Sequence, residues 1–362
     1  PMKNEAHGGD LLAMATLAGR DPASLLDFSV NIRPEGTPDF LRGALLRADS
    51  ALSAYPSPHA EEAQAAAERH HGLPASRFVF GNGSNELIHA LARVLRKQGT
   101  PRAFIVEPAF SEYALACRLA GLETCSLWGG LSIPDQTEGN ALLLELAAAP
   151  SGSAVFLANP GNPSGIFRSR TACLHLLTAR PDLLWILDEA FIDYAGPEKE
   201  VSLLQVLPEN GVILRSLTKF HALPGVRVGY MAASETLAAA VRAELPVWNV
   251  NCFAIAAAVA ALDDSSDFGE QTRTTNAERR DHLATVLAGL PGLEIFPSAA
   301  NYILFRWPEA PRDLHALLLR RFGIAIRDCA NYHGLEDGTW FRVAVRFPAD
   351  HERLADALRT II

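Results

Sequence analysis

The chain has 362 residues, more than one core usually holds, so two domains, or a large one with a smaller companion, are expected. Hydrophobic residues make up 49% and charged residues 20%, an ordinary globular composition, and no apolar run nears the roughly 18 residues of a membrane span. The formal net charge of −9, with no dense Lys/Arg cluster, argues against a nucleic-acid partner.

The N-terminal run Pro1-Met2-Lys3-Asn4-Glu5 has no apolar signal core, so export is not expected and a cytoplasmic location is. The five cysteines, at 117, 125, 173, 252 and 329, form no C-x-x-C pair and no Cys/His metal spacing. An odd, unpatterned set reads as reduced packing thiols, with no metal.

In chain order, Tyr55-Pro56 sits in a loop before an alanine-rich helical stretch at 60–68. From about 76 to 240, short apolar runs alternate with longer helix-like segments, the texture of an α/β unit with a mostly parallel sheet. Phe78-Val79-Phe80 leads into Gly81-Asn82-Gly83-Ser84-Asn85-Glu86 and then a periodic segment, Leu87 to Val94. Glycines there let backbone approach an anion, and the N–H groups of a helix start point at it; the plain alternative is a capped βα turn. Ala103 to Val106 ends at Glu107-Pro108, followed by Phe110, a ring able to stack on a flat ligand or simply to pack.

Ala154 to Ala158 ends at Asn159-Pro160-Gly161-Asn162-Pro163, a rigid turn that fixes Asn162. Leu183 to Leu187 ends at Asp188, a carboxylate costly to bury unless a cation meets it, or else a helix cap. Val212 to Leu214 ends just before Ser216-Leu217-Thr218-Lys219-Phe220, with Arg227 eight residues past the lysine. Two hydroxyls and an arginine around a lysine suit a phosphate ester beside a covalent amine link. In each case the polar residues follow a strand, where open α/β sheets bind ligands.

From about 245 the texture changes to long helices, including an alanine-rich one at 254–262, with a short strand pair near Tyr302–Arg306 and Phe341–Arg346. Arg342, Ala344 and Arg346 share a face in the second of these, and Arg327 follows Ile324-Ala325-Ile326. Inward arginines call for anions; a solvated face with surface pairs is the alternative. The expected boundaries are a large α/β domain over 46–245 and a small α+β domain built from 1–45 and 246–362.

The order of the 81–86 turn, Asn162, Asp188, Lys219, Arg227 and Arg342 resembles the fold-type I enzymes dependent on pyridoxal phosphate (PLP), the aminotransferase class I/II superfamily. The resemblance runs from about Tyr55 to Arg346. It implies PLP as cofactor, Lys219 as the Schiff-base lysine, Asp188 at the pyridine nitrogen, and Asn162 at the phenolic oxygen. Gly83, Ser84, Asn85, Ser216, Thr218 and Arg227 would hold the phosphate, with Phe110 on the ring. Tyr55 would reach the phosphate in a neighbouring subunit, which implies a homodimer. Phe191 departs from the pattern, since many relatives place a tyrosine there.

Two branches of the superfamily compete. One comprises the histidinol-phosphate aminotransferases, the other the threonine-phosphate decarboxylases of cobalamin biosynthesis. His7-Gly8-Gly9, Asp27-Phe28-Ser29-Val30-Asn31, Asp188-Glu189-Ala190-Phe191-Ile192-Asp193, Ser216 to Gly225, and Arg327-Asp328-Cys329-Ala330-Asn331-Tyr332 with Gly334-Leu335 resemble the second. The expected substrate is then a small phosphorylated amino acid. Arg342 would take its carboxylate and Arg327 its phosphate, with His7, Asn31 and Asn162 assisting. A PLP-binding transcriptional regulator would carry an appended DNA-binding domain, which is not expected before Ala6.

Overall fold

A computed structural model describes residues 8–131, 136–311 and 313–361. Its strands, in chain order, are β1 (Leu26–Asp27), β2 (Phe78–Gly81), β3 (Ala103–Glu107), β4 (Thr124–Trp128) and β5 (Ala154–Ala158). There follow β6 (Leu184–Asp188), β7 (Gly211–Ser216), β8 (Gly229–Ala232), β9 (Glu294–Ile295), β10 (Tyr302–Arg306), β11 (Ile324–Ala325), β12 (Arg327–Asp328) and β13 (Trp340–Ala344). Seven of them form one sheet in the order β2-β8-β7-β6-β5-β3-β4. The pairs from β7 through β6, β5 and β3 to β4 are parallel, while β8 runs antiparallel to both of its neighbours.

The central strands read as unbroken apolar runs because both faces of the sheet are covered. Phe104, Val155, Trp185 and Ile213 point to one core and Ile105, Phe156, Ile186 and Val212 to the other, the period of 2 sorting neighbours apart. Helices Ser84–Lys97, Glu112–Ala120 and Glu235–Ala243 close the second face, contributing Leu87, Tyr113 and Val241. The first face is closed by helices that include Glu61–His71, Arg170–Ala179 and Cys252–Leu262.

A second sheet, β12-β13-β10-β9, is covered by the helices Phe268–Ala288 and Pro348–Ile361 around Leu283, Phe305 and Leu354. The N-terminal segment joins it through β1, which pairs parallel to β11. The large sheet's core nevertheless takes in Leu41, from the helix Asp39–Ala48, and Ala254, Ala257 and Ala258. These two helices, on the small-domain side of the expected boundaries or across them, pack against the large sheet because their small residues fit against one another and against the helix Glu61–His71. The expected strand Phe341–Arg346 also stops early, at Ala344. Arg346 instead bonds to Asp350 and to the carbonyl of Asp27.

One charged cluster lies buried beside the large sheet. Arg215, on β7, meets Glu189 at 3.2 Å, Asp193 at 2.5 Å and Glu198 at 3.4 Å. Removing the single cation would strand three carboxylates in a poorly hydrated place. We expect Arg215→Ala to cost ~3–5 kcal/mol of stability, read as a lowered urea midpoint at unchanged m-value; a shift within error would show that water reaches the cluster.

Candidate active site

The parallel strands all deliver their C-terminal ends to one edge of the sheet, and a cleft opens there. β2 leads to Gly83, Ser84 and Asn85, β3 to Phe110, β5 to Asn162, β6 to Asp188, and β7 to Ser216, Thr218 and Lys219. Arg227 enters just before the antiparallel β8. The second sheet adds Arg327 and Arg342, and the N-terminal segment adds Gly8, Ser29 and Asn31. Twelve of the expected positions thus share one wall or another of a single cleft with Lys219.

Gly83 has φ +78°, and a Cβ there would stand 2.8 Å from the Arg227 guanidinium. Glycine therefore lets the turn and Arg227 close on one another. Gly229 does the same from β8, where a Cβ would lie 2.5 Å from the Ser84 amide. Ser84 opens a 14-residue helix whose first N–H groups lack intrahelical partners and carry the positive dipole end. Ser216 and Thr218 hydroxyls sit 2.7 Å apart. Such a set of N–H, hydroxyl and guanidinium donors fits a phosphate dianion. The Asn85 side chain is turned elsewhere, donating to Glu112, so its contribution would come from its backbone.

Asp188 is buried at the end of β6. Burial pushes its carboxyl pKa up, opposed by hydrogen bonds from the Tyr113 hydroxyl and the Ala190 amide and by the charge of Lys219. Tyr113 donates to Oδ2 at 2.6 Å, and Ala190 N–H to Oδ1 at 2.9 Å. Tyr113 went unnoticed in the sequence, although its place three residues after Phe110, on the same helix entry, was a readable signal. Phe110 meets it edge-on at 5.8 Å and faces the cleft.

Lys219 is pulled down to about 8, first by burial and then by Arg342 and Arg227, with Asp188 opposing. Its neighbours are held by neutral acceptors. Arg342 donates to the Ser29 carbonyl at 2.9 Å and to Asn162 Oδ1, and Arg327 donates to the Asp328 carbonyl and the Asn331 side chain. Arg227 reaches the carbonyl of Pro224. Tyr302 and Tyr332, also unforeseen, lie under the guanidiniums of Arg342 and Arg327 at 5.2 and 5.3 Å. Phe191 packs edge-on against Tyr302, whose hydroxyl donates to the Gly161 carbonyl.

Two expected residues are not brought to this cleft. Tyr55 is 81% exposed and stacks on Trp248 at 4.7 Å. His7 lies outside the described residues, though Gly8 beside it packs against Ser29 at the cleft.

Residues 23–358 match the family model "Aminotransferase class I and II". The chain is 38% identical to the threonine-phosphate decarboxylase of Salmonella typhimurium, over 99% of this chain and 97% of that one. It is 36% identical to the histidinol-phosphate aminotransferase of Nitratidesulfovibrio vulgaris, over 94% and 89%. Among solved structures, L-threonine-O-3-phosphate decarboxylase from Porphyromonas gingivalis superposes with a TM-score of 0.81 at 26% identity, covering 93% of this chain and 99% of that one.

The site generates one prediction of its own. Of the four lysines, Lys97 and Lys199 lie at the surface and Lys219 does not. In cofactor-free protein, acylation of Lys219 by an amine-selective reagent, followed by peptide mass spectrometry, should rise with a midpoint near pH 8. Arg342→Ala removes a like charge and should raise that midpoint; an unmoved midpoint would mean that burial alone sets it.

Proposed function

The chain belongs to the aminotransferase class I and II family, and from that premise we propose that it uses PLP to decarboxylate L-threonine O-3-phosphate. The product is (R)-1-amino-2-propanol O-phosphate, and the step belongs to cobalamin biosynthesis. The observation that carries this reading is the 38% identity to a threonine-phosphate decarboxylase along nearly the whole of both chains.

The residues present fit the cofactor. The glycine-lined cradle of Gly83, Ser84 and Asn85 with Ser216, Thr218 and Arg227 suits its phosphate, and the pocket is shaped by glycines where a Cβ would intrude. Lys219 would supply the amine for covalent attachment. Asp188, kept as an acceptor by Tyr113 and Ala190, would face the ring nitrogen. Asn162 has its carbonyl end engaged by Arg342, which leaves its NH₂ as the donor for the ring oxygen. Phe110 would cover the ring face. When bound, the cofactor supplies an electron sink for the bond broken at the substrate's Cα.

The chain's own part is positioning and proton transfer. Arg342, oriented by the Ser29 carbonyl and Asn162, would bind the substrate carboxylate. Arg327 would bind the phosphate ester, with His7 and with the NH₂ donor of Asn31, which lines the cleft. Holding both anions decides which bond at Cα is presented for cleavage. As CO₂ leaves, Cα must gain one proton. Lys219, with its pKa lowered to about 8, is the acid within the cleft able to give one near neutral pH.

We further propose a cytoplasmic homodimer in which Tyr55 reaches the partner's cofactor phosphate. Its support is an exposed apolar patch: Leu52, Tyr55, Val247 and Trp248 are 60, 81, 50 and 47% exposed.

PLP-loaded protein should release CO₂ repeatedly from carboxyl-labelled L-threonine O-3-phosphate with no oxo acid present. Absence of CO₂, with glutamate formed from histidinol phosphate and 2-oxoglutarate, would assign the chain to the aminotransferase branch instead. Lys219→Ala should abolish the near-visible absorbance of lysine-linked cofactor and all turnover; a retained band would refute the attachment site.

A further inference from the structure

Away from the cleft, one set of side chains is arranged as ligands are. His70 and His71 end the helix Glu61–His71, and Glu198 begins the segment that follows Pro197. One ligand atom from each lies within 4.8 Å of the other two. His71 Nδ1 is 2.7 Å from Glu198 Oε1, and His70 Nε2 is 3.8 Å from Oε2.

The tautomers follow from the outer partners. His70 Nδ1 lies 2.6 Å from the carbonyl oxygen of Leu262, which has only lone pairs to offer. Nδ1 therefore carries the proton, and the neutral ring presents its lone pair at Nε2, toward a carboxylate oxygen. Two lone-pair atoms facing one another are drawn together by a cation between them, either a proton or a metal ion. His71 Nε2 meets the Tyr230 hydroxyl at 2.9 Å. That hydroxyl accepts as readily as it donates, so His71 can turn its Nδ1 lone pair to a metal without losing the outer bond.

Charge points the same way. Glu189, Asp193 and Glu198 surround one guanidinium, that of Arg215. The site opens on a second cleft lined by His70, Asp193, Glu198, Arg215 and His221, which gives an ion its path. His221 is 9% exposed there, with an Nδ1 that has no hydrogen-bond partner.

We propose that His70 Nε2, His71 Nδ1 and Glu198 bind one divalent transition-metal ion of the zinc class. Two imidazoles and a carboxylate are a set that zinc accepts with a fourth position left to water, whereas calcium and magnesium favour oxygen alone. With bonds of about 2.1 Å, ligand atoms lie about 3.4 Å apart, so the widest pair must close by roughly an ångström while His71 Nδ1 and Glu198 Oε1, 2.7 Å apart, must open. His70, at the helix end and 35% exposed, is the ring free to move. The ion would clamp the helix Glu61–His71 to the 192–201 segment, which packs beside Arg215. The three ligands stand at 70, 71 and 198, a separation that no local spacing rule detects.

PLP-loaded full-length protein, stripped by a chelator, would be titrated with Zn²⁺ by calorimetry and with Co²⁺ by visible absorbance. One ion per chain, the intense bands of four-coordinate cobalt and a raised unfolding temperature in Zn²⁺ are expected. His70→Ala should weaken binding by about tenfold or more and remove the thermal gain. His333→Ala, at the exposed His333–Glu336 pair, should leave binding intact. His70→Cys keeps a ligand in place and should add a thiolate-to-cobalt charge-transfer band, which requires a folded site. Failure of the native chain to take up either ion, or uptake unchanged by His70→Ala, would overturn the proposal.

Discussion

Among the described residues, the cleft brings four cations, Lys219, Arg227, Arg327 and Arg342, to share one space with a single carboxylate, Asp188. Among the described residues, the three guanidiniums are tethered by carbonyl and amide oxygens, not by carboxylates. Neutral acceptors fix direction without cancelling charge, so the positive potential is held in reserve for whatever anion arrives. Arginine does not give up its proton, and the strain of the arrangement therefore falls on the lysine. Its pKa of about 8 is set first by burial and then by that geometry.

Three remote parts of the chain are needed to build this. The large sheet buries both of its faces, so its only free polar frontier is the row of strand ends. Those ends supply Asp188 and Lys219, with Arg227 entering before β8, but the other two arginines come from elsewhere. Arg342 comes from β13 of the second sheet, and its guanidinium is aimed by Ser29 from the N-terminal segment and Asn162 from the turn after β5. The same three-way contact pins the two sheets and the N-terminal segment together where the substrate would sit. Aromatic rings fill the floor between them: Phe191 against Tyr302, and Tyr302 beneath Arg342. A hydrophobic residue at 191 thus packs as part of the wall supporting the arginine.

What was legible in the sequence was the part governed by local pattern. Apolar runs bounded by Gly, Pro and Asn marked the parallel strands, and the rule that ligands sit at strand ends then collected Gly83, Asn162, Asp188 and Lys219 into one cleft. The edge strand β4 gave no such signal, because Thr124, Glu123 and Trp128 beside or within it are exposed and only Leu127 is buried. β8 is four residues long and begins two residues after Arg227, where glycine and arginine mask its strand character. Arg346 looked inward by alternation, but the strand ends two residues before it and the side chain turns to Asp350. Tyr113, Tyr302 and Tyr332 act through partners more than 70 residues away in sequence, which no window-based reading reaches.

Two buried charge clusters of opposite sign flank one strand. β7 carries Arg215 into a nest of three carboxylates, and four residues later the chain places Lys219 among three arginines. If the carboxylates stood unneutralised so near in sequence, they would favour the ammonium form of Lys219 and oppose its lowered pKa. Arg215 meets them locally, and the carboxylate that opposes the Lys219 shift is Asp188, the one facing the cleft. The two arrangements therefore do different electrostatic tasks. One confines negative charge beside the sheet, and the other leaves positive charge open at its edge, with the lysine amine between them free to shed a proton near neutral pH.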